Sequence, residues 1–230
     1  MAQEIEAAQP KPSIQESERG DFAAKVFGII CCQLLLTAVL CIFGLTETGG
    51  DFFASYLWLG FLMLILAFTA TLILIYSPQF SHAVPYNYIL LFTFTIGVSY
   101  VLALICSLYT SGSLLFAIIL CAIIVGSLCV YGMQAEEDYN EWRGYIMVVS
   151  YGFIGYLIGA IFIGSTVISS FWASLGAVLF GCYLIMDVQM IMKNEEGYYD
   201  IDDYILAAMN VYLDIINVFI YLLHQIAQRR

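Results

Sequence analysis

Seven apolar stretches dominate the sequence, each near the roughly 20 residues a helix needs to cross the hydrocarbon core of a bilayer. They fall at about 25–45, 55–76, 86–107, 112–132, 145–164, 168–192 and 204–224. Backbone polar groups inside a bilayer must be satisfied within their own segment, so each stretch is expected to be an α-helix. The fold class predicted is therefore an all-α membrane protein, a bundle of seven transmembrane helices. Of the 230 residues, 62% are hydrophobic and 11% charged, against about 45–50% and 25% in soluble domains. No sizeable soluble domain fits in the remainder. The implied partner is the lipid bilayer, and the net charge of −11 argues against nucleic acid.

Residues 1–24 are polar and acidic, with Pro10 and Pro12, and read as a disordered tail that another membrane protein could order by contact. Residues 25–230 form the membrane domain. The tail has no signal-peptide apolar core and is too acidic for a transit peptide, so targeting is expected from the first span. Lys11, Arg19, Lys25, Arg143 and Lys193 all fall on one side of the predicted topology. The N-terminus is thus expected on the cytosolic side, or the matrix side of a mitochondrial inner membrane. Arg229 and Arg230 break that pattern if the last segment crosses fully; a re-entrant segment would restore it. Endoplasmic reticulum, Golgi and plasma membrane are the favoured locations, with the mitochondrial inner membrane compatible.

Of the 25 Lys, Arg, Asp and Glu residues, only Asp187 and Asp214 sit well inside apolar runs. An ionised Asp at the bilayer centre costs about 2.5–3.5 kcal/mol on insertion scales. The pair is therefore expected to share a proton, bind a cation or face a wet cavity. Asn210, Asp214, Asn217, Tyr221 and His224 recur at helical spacing and form one polar stripe on the last segment. Either that helix is central, with the stripe against Asp187, or it lies at the interface or uses the stripe as interhelical glue. Tyr183, one turn before Asp187, is placed to hydrogen-bond it. Gly155 and Gly159 suggest close helix packing in the fifth stretch. The seven cysteines lie in apolar runs without metal-site spacing, and no cofactor is implied beyond weakly bound calcium.

The segments FWASLGAVLFGCYLIMDVQMIM and DDYILAAMNVYLDIINVFIYLL resemble the last two spans of the transmembrane BAX inhibitor motif family, most of all its Lifeguard branch. Asp187-Val188-Gln189 matches the family's Asp-x-Gln, and Asp203-Tyr204-Ile205 through Asp214-Ile215-Ile216-Asn217 matches its final helix. A looser likeness extends over KVFGIICCQLLLTA and YGMQAEEDYNEWRG. The resemblance implies a seven-helix bundle with the semi-polar seventh helix central. It also implies a pH-sensitive calcium leak tied to calcium homeostasis and suppression of cell death, with Asp187 and Asp214 sensing protons and binding the cation. The second span lacks the basic residue some members carry near the acidic pair, so a latch built on that charge is absent here or supplied differently.

Two carboxylates in a low-dielectric setting cannot both ionise cheaply and titrate as one coupled unit. Calcium usually takes six to eight oxygens, so two carboxylates, with Asn210, Asn217 and Tyr221 adding neutral oxygens, imply weak binding. Weak binding is what a leak needs. No enzyme is expected: an intramembrane aspartyl protease would carry Gly-x-Gly-Asp and Pro-Ala-Leu, and neither occurs. The alternative reading is a non-conducting structural subunit of a larger membrane complex, for example in the mitochondrial inner membrane, where the Asp pair fixes helix register.

Overall fold

The computed structural model describes residues 16–134, 142, 146, 149–150, 169–193 and 198–226. Nearly all of the fifth apolar stretch, including Gly155 and Gly159, lies outside the described residues. Among the described residues there are eight α-helices and one 3-10 turn, with no strand. The helices are α1 (Glu16–Leu45), α2 (Glu47–Ser55), α3 (Leu57–Tyr76), α4 (Pro78–Ser81), α5 (Tyr86–Ser107), α6 (Ser111–Gln134), α7 (Ser169–Met192) and α8 (Tyr204–Ile226). Six of them, α1, α3, α5, α6, α7 and α8, are long and apolar enough to cross a membrane.

The first helix begins at Glu16, well upstream of its apolar run. Phe22, Ala23, Val26 and Ile30 are buried at helical spacing, and the Phe22 ring packs 6.3 Å from that of Tyr199. That burial extends the helix into the polar segment. The link after α1 is itself a short helix rather than a loop. The Thr46 hydroxyl caps it by accepting from the Gly49 amide at 3.0 Å. Gly49 is required there, because a Cβ would sit 1.9 Å from the Phe43 carbonyl oxygen. Pro78 occupies the first turn of α4, where its missing N–H costs nothing.

The last helix is the most enclosed of the described spans. Within Ile201–Gln225, 61% of the apolar window is buried, against 22% for Leu57–Tyr76. It packs on α1, α5, α6 and α7. The outward faces of α1 and α3 carry exposed Leu35, Phe61 and Phe68, the apolar surface a bilayer covers. The α3–α5 contact is close because Gly97 has no side chain: a Cβ there would lie 2.6 Å from the Met63 carbonyl oxygen.

Candidate functional site

Asp187 on α7 and Asp214 on α8 are both buried, each 7% exposed. Three contacts fix the register of the two antiparallel helices. The Phe180 and Tyr221 rings stack at 5.8 Å and 22°. Gly176 lies under the Tyr221 ring, where a Cβ would approach to 2.7 Å. Further along, the Gln225 amide donates to the Ser174 hydroxyl. From Phe180 to Asp187 is seven residues, and from Tyr221 back to Asp214 is also seven. Seven residues are close to two full turns, about 10 Å of axis. Each Asp therefore returns to the face of its stacked aromatic, and both lie at the same depth to within about one turn. The two carboxylates share the α7–α8 seam.

The rest of the predicted stripe disperses. Asn210 Nδ2 donates to the Tyr199 hydroxyl at 3.2 Å. Asn217 Nδ2 donates to its own helix, to the Leu213 carbonyl at 2.8 Å. Tyr221 belongs to the seam through its ring, and His224 is exposed. Tyr183 does not bond Asp187 as expected; its hydroxyl pairs with the Ser150 hydroxyl at 3.0 Å. Ser150 gives its own proton to the Ile146 carbonyl at 2.8 Å, so Tyr183 donates to Ser150 and has no proton left for a carboxylate.

Sequence reading missed a second buried polar centre on the opposite flank of α8. Gln33 and Thr37 on α1, Thr95 and Ser99 on α5, and Tyr212 on α8 are all buried. Gln33 Nε2 donates to Thr95 Oγ1 at 2.9 Å. Thr37 Oγ1 donates to the Gln33 carbonyl at 2.8 Å, and lies 2.7 Å from Ser99 Oγ and 2.8 Å from the Tyr212 hydroxyl. Thr37 has one proton, given to the carbonyl, so Ser99 and Tyr212 must both donate into its lone pairs. The signal was the i, i+4 spacing of both pairs. Tyr212 is two residues before Asp214, about 200° around the helix, so α8 presents one polar group to α7 and another to α1 and α5.

A third cluster holds the start of α8. His82 Nε2 lies 3.0 Å from Asp203 Oδ1, and Asn87 Nδ2 donates to the Tyr204 hydroxyl at 3.0 Å. The Lys25 ammonium sits 3.2 Å above the Tyr204 ring. Asp200 is the N-cap of the turn that leads into α8, and Asp203 Oδ2 accepts from the Asp200 amide at 2.9 Å. Among the described residues, no group of three or more His, Cys, Asp or Glu side chains is placed to hold a metal ion.

Comparison with known proteins agrees with this architecture. The family described as inhibitor of apoptosis-promoting Bax1 matches residues 19–230. The chain is 26% identical to mouse protein lifeguard 3 over 219 residues, covering 92% of this chain and 70% of that protein. It is 27% identical to human protein lifeguard 3, with the same coverage. It is 30% identical to Arabidopsis thaliana protein LIFEGUARD 2, covering 96% of this chain and 94% of that one. The apolar helices, the two intramembrane acids and a match over nearly the whole length lead to one assignment: the chain is a multi-pass membrane protein of the Bax1-inhibitor family, related to the lifeguard proteins.

Proposed function

We propose that the chain is a pH-sensitive calcium leak that regulates calcium across its membrane, and a suppressor of cell death rather than an enzyme. The observation that carries this reading is that Asp187 and Asp214 are both buried and, by the register of the Phe180–Tyr221 stack, lie on facing sides of the α7–α8 seam within about one turn of each other in depth. With one proton between them, the carboxyls bridge the two helices. When that proton leaves, two anions remain, and they repel or take a hard cation from the oxygen-preferring class to which Ca²⁺ belongs. Calcium is then the cargo, held loosely enough to leave. The cell-death role rests on the family's description and on the lifeguard relatives.

The described helices also support seven crossings with α8 central. The α6 and α7 helices run in the same direction, since Gly132 near the end of α6 lies against Val188 near the end of α7, and Leu128 against Gly181. Two consecutive spans that run the same way require an odd number of crossings between them. With one crossing there, Lys25, the α3–α5 connection and the start of α8 share a side, in keeping with their contacts. The positive-inside pattern makes that side cytosolic.

The test is calcium flux into liposomes holding the purified chain and a trapped dye, between about pH 5 and 8. Flux is expected to rise with pH as the shared proton is lost. Asp187→Asn and Asp214→Asn are each expected to abolish that dependence, because an amide can neither release the proton nor restore the anion pair. Wild-type protein that is folded and does not conduct, or variants that keep the pH dependence, would reject the leak.

A further inference from the structure

We propose that the membrane-facing groove between α1 and α5 binds one acyl chain of an anionic phospholipid, with the lipid phosphate held by Lys25. The groove encloses about 890 Å³, within the range of roughly 300–1,000 Å³ typical of ligand sites. One wall is the small-residue line Ala24, Gly28 and Cys32, spaced one turn apart on α1. A Cβ on Gly28 would meet nothing within 4 Å, so the channel is open there. The other wall comes from α5, where Ile89 and Phe92 are more than half exposed. Exposed apolar residues on a spanning helix face lipid, so the groove is open to the bilayer.

Its length matches one leaflet. From Ala24 to Leu36 the α1 wall runs twelve residues, about 18 Å of helix. Half of a hydrocarbon core is about 15 Å. A lipid tail entering from the Lys25 side therefore lies along the whole groove. The floor is preformed, because the hydrogen bond from Gln33 Nε2 to Thr95 Oγ1 at 2.9 Å ties the two walls together.

The mouth selects charge. Lys25 precedes the apolar run of α1 and lines the groove. Its ammonium is fixed over the Tyr204 ring at 3.2 Å, and among the described residues no carboxylate lies in ion-pair range of it. A cation held by a ring face keeps its N–H donors for an oxyanion on the outer side. Choline and ethanolamine lipids carry a compensating positive group, whereas serine and glycerol phospholipids are net anions. One lysine near the surface favours the anion by a factor of about five.

The test uses the full chain in detergent micelles containing photoreactive phosphatidylserine or phosphatidylcholine, each with a diazirine on the acyl chain. Labelled peptides are mapped after irradiation. Wild type is expected to label on residues 24–36 and 85–95, about five-fold more with phosphatidylserine. Lys25→Gln is expected to bring the two lipids level, and Gly28→Phe, which fills the channel, to remove groove labelling by both. Thermal melting of each variant reports folding. If Gly28→Phe does not fold, the headgroup preference and its loss in Lys25→Gln decide alone. Equal labelling by the two lipids in wild type would overturn the proposal. So would a preference that survives Lys25→Gln, labelling spread evenly over the outer helices, or a groove left unlabelled because another protein segment covers it.

Discussion

Single side chains carry unequal weight in this molecule, and the polar centre around Thr37 shows why. Tyr212→Phe removes one donor and leaves Thr37 and Ser99 bonded to each other at 2.7 Å. Its cost is expected to be about 1 kcal/mol. Thr37→Val removes the acceptor that two buried hydroxyls share, and Ser99 and Tyr212 keep only each other at 3.4 Å. That variant is expected to lose about 1–3 kcal/mol, and melting in detergent would check the order of the two. At this scale the sequence was partly legible. Asp187 and Asp214 stand out because a charge in an apolar run is costly wherever it points. Thr37, Thr95 and Ser99 do not, because a helical hydroxyl can satisfy itself on the carbonyl one turn back, as Thr95 does with Leu91 at 2.7 Å. Tyr183 finds its partner on another segment, at Ser150, which no spacing along its own helix announces.

Helices were legible as apolar runs, and in the described spans every end but one fell within two residues of its run; the start of α1 at Glu16 and the short helices between the spans were not legible. Hydropathy reports what lipid covers; helix ends depend on caps and contacts. The α2 helix illustrates this. Its Gly-Gly pair reads as a loop, yet Gly49 is the residue that lets the helix fold back on the end of α1. Gly49→Ala would place a methyl against the Phe43 carbonyl oxygen and is expected to be destabilising by more than about 3 kcal/mol. The expected readout is a sharp fall in the yield of monodisperse protein, whereas Gly50→Ala, whose nearest neighbour would be 3.8 Å away, should purify normally. The α7–α8 seam follows the same logic, since Gly176 makes room for the Tyr221 ring that sets the depth of the two acids.

The whole molecule poses one question the charge pattern left open, which is whether the last segment crosses or re-enters. The α8 helix has 23 residues, about 34 Å at 1.5 Å per residue, enough to cross a core of roughly 30 Å. Epitope tags at the two termini are therefore expected on opposite faces, one reached by antibody only after the membrane is permeabilised. Tags on the same face would indicate re-entry. The bundle as such was readable because seven apolar stretches leave few alternatives. How near in depth Asp187 and Asp214 come was not readable, because it depends on the register that the Phe180–Tyr221 stack and the gap at Gly176 set between α7 and α8.

The two flanks of α8 are not mechanically equivalent. Toward α1 and α5 the first half of α8 is fastened, through Tyr212 to Thr37, Asn87 to Tyr204, His82 to Asp203 and the Lys25 ammonium over Tyr204. Toward α7 its second half meets ring stacking, a glycine gap and the bond from the Gln225 amide to the Ser174 hydroxyl. That first half is thus bolted to α1 and α5, as a stator is to its housing. Asp214 stands two residues beyond the Tyr212 bolt, so of the two acids it is the jaw clamped to that housing, while Asp187 belongs to the helix that closes on it from the other side.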